Sequence, residues 1–188
     1  RDTPAIVAIN DLTPQEWYGA AKLHAECRHR SHPEFAIIDI RVFNYFSRTQ
    51  DISARFLIAD ILRAIRDKTV LQTSPDYIVR DFLHPSDFHK LVNALLAAPV
   101  ANNVVDCYSR APIEKPDLLK AMQEKFGLRY EVAEVRAVVN ATGGKPFYYS
   151  LNTRAADFGY QPGLTSLEGI LLEAGAILSQ GSLQAGGS

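Results

Sequence analysis

Apolar residues fall in two rhythms along this chain, a helical spacing of three to four and short β-branched or aromatic runs, and the two alternate down its length. The helical rhythm predicts helices over 13–30, 53–66, 85–97, 116–126 and 165–178, with a helical turn over 153–158. The extended rhythm predicts strands over 35–43, 69–73, 77–84, 103–108 and 129–135, and a short piece over 147–151. Several ends carry their own signals. Thr13-Pro14-Gln15-Glu16 and Thr165-x-x-Glu168 read as capping boxes, Arg28-His29-Arg30 suits the negative end of a helix, and Gly127 reads as a stop. Phe35 to Phe43 is apolar nearly throughout, as expected of a parallel strand covered on both faces. Strands alternating with helices predict an α/β architecture. Asn140 to Lys145, with Gly143-Gly144, reads as a loop, and 179–188 as a flexible tail.

Composition narrows the classes. With 188 residues, 47% of them hydrophobic, the chain has enough apolar material for a core. Twenty basic against twenty-one acidic side chains leave a net charge of -1, so no overall field gathers nucleic acid or an anionic membrane. Cys27 and Cys107 stand far apart, as buried, reduced thiols of a cytoplasmic protein would. No apolar run has the length of a membrane span and no signal-peptide pattern is present. His24 and His29 lack partners at metal-ligand spacing, so no metal site is expected.

Candidate chemistry begins at Tyr18 and Lys22, four residues apart on the first helix and therefore on one face. A cation near a phenol favours phenolate, which would fit Tyr18 as an acid/base near neutral pH. A surface Tyr/Lys pair is the alternative, and the spacing alone does not separate the two. Alternation places Arg80, Phe82 and His84 on one strand face. A salt-bridged arginine and a structural histidine are the plain readings there.

Three motifs in order resemble the extended short-chain dehydrogenase/reductases, the family of NAD-dependent sugar-nucleotide epimerases and dehydratases. They are Tyr18-Gly19-Ala20-Ala21-Lys22 with the trailing Glu26, Arg41-Val42-Phe43-Asn44, and Val79-Arg80-Asp81-Phe82-Leu83-His84-Pro85-Ser86-Asp87. A fourth, Asn152 to Pro162, is similar to the turn before that family's last helix. The resemblance implies the C-terminal part of a Rossmann-like parallel sheet with helices, plus a small mixed α/β substrate-binding subdomain, over 1–178. It implies NAD or NADP as cofactor, with Tyr18, Lys22 and Phe43 beside it, and Tyr18 and Lys22 as the catalytic pair. A nucleotide-sugar substrate would meet Asn44, Arg80 and His84, and a homodimer would form through the Tyr18 helix. Departures are equally specific. The family's glycine-rich pyrophosphate turn is absent, Thr3 and Thr13 are the only hydroxyls before Tyr18, and Tyr45-Phe46-Ser47-Arg48 stands where Gly-Pro is usual. With Arg1 in first position, these departures lead us to expect a C-terminal part, somewhat over half, of a longer enzyme. That part would not bind NAD tightly by itself. The alternative expectation is a catalytically silent binding or dimerisation module.

Overall fold

The computed structural model describes residues 12–133 and 146–185, apart from the side chains of Gln15 and of 181–185. The expected loop over 140–145, the strand end at 134–135, Thr3 and the last three residues of the tail lie outside the described residues. The chain is α/β, with five α-helices and three small sheets among the described residues. It divides into two compact units, 1–40 with 99–105, and 41–98 with 106–188.

The first unit holds helix α1 (Pro14–Arg30), most of strand β1 (Ile38–Arg41) and most of strand β4 (Asn103–Asp106). Glu16 closes the start of α1 by accepting from the amide and hydroxyl of Thr13, at 2.7 and 2.8 Å. At the other end the basic residues find an acid. His29 Nδ1 and Arg30 Nη2 lie 2.8 and 2.9 Å from the carboxylate of Asp39 on β1. The Asn102 side chain adds three bonds, donating to the carbonyls of His29, His32 and Phe35. Strands β1 and β4 pair. Their amide bonds keep equal steps on both strands, Asn103 to Ile37 and Cys107 to Arg41, as in a parallel ladder. Cys27 is exposed, contrary to the expectation of two buried thiols, because it lies on the open side of α1. Cys107 is buried, and burial pushes its thiol up to about 12.

The second unit holds the core. Helix α2 (Leu57–Arg66), strand β2 (Val70–Thr73), strand β3 (Val79–Arg80), helix α3 (Pro85–Ala97), strand β5 (Ile113–Glu114), helix α4 (Lys115–Phe126), strand β6 (Arg129–Val132), strand β7 (Phe147–Tyr148), a 3₁₀ turn (Arg154–Phe158) and helix α5 (Ser166–Ala185) follow one another. Ile58, Ile61 and Leu62 on α2 meet Leu118 and Met122 on α4 and Ile170 and Ala174 on α5. The side chains recur at three and four residues, so each helix turns one apolar stripe inward. Strands β2 and β6 pair in parallel, while β3 lies between antiparallel β5 and parallel β7.

The expected strand over 77–84 is regular only at Val79 and Arg80. Beyond them Asp81 and His84 use their side chains to bond amides and hydroxyls, and Pro85 has no amide to give. Helix α5 runs through Ala185 instead of ending near Leu178, since no proline interrupts it. Gly127 ends α4 with φ 72°, the left-handed conformation that glycine adopts without strain. No described helix is long and apolar enough to cross a membrane, and no described cluster of three His, Cys, Asp or Glu side chains suits a metal ion.

Candidate functional site

A cleft of about 190 Å³ opens in the second unit, and Asn44 and Arg80 both line it. Asn44 follows β1, and its side-chain amide donates to the carbonyl of Asp81 at 3.0 Å. That bond ties the two walls together. The same walls share a backbone ladder, with Phe46 donating to Leu83 and Leu83 to Asn44. Phe56, Leu57 and Ile58 at the start of α2 supply an apolar side, and Tyr45, Gln50, Arg55, Ile78 and Phe82 complete the lining.

Arg80 is only 7% exposed. Its Nη1 donates to the carbonyls of Val79 and Pro146 at 2.9 and 3.1 Å, and its guanidinium carbon stands 5.9 Å from the Tyr148 ring centre. Burial draws its pKa below the usual arginine value, but the group remains a cation at neutral pH. Asp81 holds the strand from behind. Its carboxylate accepts from the Ser109 amide at 3.0 Å and the Ser166 hydroxyl at 2.9 Å, and Ser166 in turn accepts from the Phe82 amide at 2.9 Å.

His84 does not line the cleft. It caps α3, accepting from the Ser86 amide, and its Nε2 lies 3.1 Å from Glu173 on α5. Gly169 has no side chain, and a Cβ added there would sit 3.1 Å from His84 Cβ, so glycine is what lets His84 lie this close against α5. Glu173 also receives the Arg48 amide at 2.5 Å and the Arg48 Nη2 at 2.7 Å.

Hydrogen bonds from Arg48 hold the Glu173 carboxyl down at about 2. A folded-state value below the ordinary 4.5 means stability that is full above about pH 4.5 and lost as pH falls towards 2. Thermal melting of the protein and of Glu173→Gln is expected to show a gap that is constant near neutral pH and narrows through that acid window. A gap that instead widened on acidification would contradict the assignment.

Tyr18 and Lys22 lie together on α1, with the ammonium 5.4 Å from the phenol ring centre. Tyr18 is 70% exposed. Phe43 packs edge-on against Tyr148 at 5.3 Å between ring centres. Sequence reading missed Gln50, Arg55, Phe56 and Glu173. The first three lie in the segment after β1 and at the head of α2, and the carboxyl end of a parallel strand, where open α/β sheets bind ligands, was the available signal. Glu173 left no signal, being one acid in an amphipathic helix.

No protein-family model matches the sequence, and no curated protein matches it. Solved structures do. UDP-glucuronic acid 4-epimerase from Bacillus cereus, in complex with UDP-glucuronic acid and NAD, is 15% identical, with a TM-score of 0.70 over 95% of this chain and 57% of the epimerase. UDP-glucose 4-epimerase from Thermotoga maritima, with UDP-glucose, is 18% identical, with a TM-score of 0.69 over 88% of this chain and 54% of that one. RMD from Pseudomonas aeruginosa, complexed with NADPH, is 21% identical, with a TM-score of 0.67 over 89% and 55%. The chain thus spans little more than half the length of each. At such identities it is the backbone that is alike, and the chain has the fold of the C-terminal region of NAD-dependent sugar-nucleotide epimerases and dehydratases.

Proposed function

We propose that the chain is the substrate-binding part of an NAD(P)-dependent sugar-nucleotide epimerase, dehydratase or reductase. The observation that carries this reading is the meeting of Asn44 and Arg80 in one cleft with apolar walls. A buried guanidinium suits a diphosphate through its fixed charge and donor fork. Phe56 and Phe82 offer ring faces to a base, and Asn44, with Nδ2 engaged by Asp81, offers Oδ1 to a sugar hydroxyl. UDP-sugars occupy two of the neighbouring structures, which supports the same class of ligand here.

In the first unit Tyr18 exchanges a proton at its phenolic oxygen, and Lys22 steadies the cofactor ribose. A bound nicotinamide supplies hydride transfer. The fit is partial: the exposed Tyr18–Lys22 pair suits the ribose end, but no glycine-rich turn for the pyrophosphate occurs in these 188 residues. Calorimetric titration of the chain is therefore expected to register UDP and to show no tight association with NAD or NADP. Arg80→Met should weaken UDP by about tenfold or more, the usual loss of a hydrogen bond to a charged group. Unchanged UDP affinity in that variant, or micromolar NAD binding by the chain, would contradict the reading.

A silent docking or dimerisation module is the second reading. Trp17, Tyr18 and Leu23 favour it, being 59%, 70% and 55% exposed along α1.

A further inference from the structure

We propose that Glu173 is a positioning residue for the cleft, gripping Arg48 beyond one wall and His84 beyond the other and so fixing the spacing of 44–50 against 80–84. The inference rests on the reading of this cleft as a nucleotide-sugar site.

Glu173 stands outside the lining, on α5, with a side chain only 3% exposed. A carboxylate so placed must be matched by donors, and its donors come from the two segments that build the cleft. Arg48 gives its amide, Nε and Nη2, the last two at 3.0 and 2.7 Å, and His84 Nε2 approaches at 3.1 Å. One oxygen pair therefore reads both segments at once.

The two segments need such a tie. Their shared backbone bonds run from Asn44 and Phe46 to Leu83. Past Phe46 the connection bonds locally, Ser47 to Thr49 and Gln50 to Ser47; Arg48 ties its first part to α5, and further on Arg63 of α2 donates to the carbonyls of Ile52 and Ala54. Gln50 and Arg55, which line the cleft, lie in this stretch. Letting Arg48 go would strip a buried charge of its strongest partner, so the segment is kept in one arrangement before any ligand arrives. Gly169, one turn earlier on α5, permits the close approach of His84 that the grip requires.

The two grips differ in exposure. Arg48 is half exposed and His84 largely covered, with side chains 51% and 13% accessible. Arg48→Ala therefore removes one arm at the surface without cutting a side chain out of the apolar core, while leaving the Glu173 carboxylate with only the Arg48 amide and His84.

UDP is titrated calorimetrically into the 188-residue chain and into Arg48→Ala, Glu173→Gln and the double variant, well below each melting temperature. Each single change is expected to weaken UDP about tenfold, and the double change no more than the worse single one, because both break one contact. Amide exchange at Arg48 should quicken in both. Full UDP affinity in Arg48→Ala, or losses that simply add, would overturn the positioning role and leave the cleft reading standing. Failure of the unaltered chain to take up UDP would overturn the cleft reading, and this inference with it.

Discussion

On the proposed function, Tyr18→Phe is expected to lower turnover of an enzyme that contains this chain by about 10²- to 10⁴-fold, the usual worth of a positioned acid or base. The substitution removes one hydroxyl from an exposed ring on α1, so folding is undisturbed. UDP affinity should be unchanged, because Tyr18 is not among the residues that line the cleft. Loss of kcat with intact UDP binding separates the proton-transfer role from a general loss of structure. The docking-module reading makes the opposite prediction. A scaffold would bind its partner equally well with either residue, and steady-state kinetics on UDP-sugars with added NAD and NADP would find no activity to lose.

The largest effect on stability is expected at Asp81, which is 4% exposed. Alanine there deprives the Ser109 amide and the Ser166 hydroxyl of their acceptor, and Ser166 also holds the amide of Phe82. Each buried group left without a partner costs about 1–3 kcal/mol, so Asp81→Ala should lose about 3 kcal/mol in urea unfolding followed by circular dichroism. Asn at the same position keeps an acceptor oxygen and should lose less. Because Asp81 lies between Arg80 and Phe82, the Ala variant should also bind UDP less well. A change within about 0.5 kcal/mol, the range of an ordinary surface substitution, would show that this network does not anchor the strand.

The five helices could be read from the chain because their ends are written in local chemistry. Thr13 with Glu16, Thr165 with Glu168 and the left-handed Gly127 each settle a boundary within a few residues of sequence. The short strands were harder. Ile113 and Glu114 form a strand only because Val79 and Arg80 lie opposite, and a two-residue pairing leaves no period to detect. Between Arg80 and His84 the apolar alternation suggested more strand than exists, since tertiary bonds of Asp81 and His84 outweigh local preference.

The site divides along the same line. Asn44 and Arg80 could be named from their motifs, but their nearness depends on the bond from Asn44 to Asp81 and on the ladder to Leu83. The grip of Glu173 on Arg48 spans 125 positions. No window of sequence holds both partners.

Amide chemical-shift mapping of the chain during a UDP titration would show whether the Asn44–Arg80 cleft takes the nucleotide of a sugar nucleotide, as proposed. Saturable shifts are expected at Asn44, Gln50, Arg55, Phe56, Arg80 and Phe82, which line the cleft. Shifts confined instead to the groove of Lys68, Phe126 and Arg129, or none at millimolar UDP, would contradict the account.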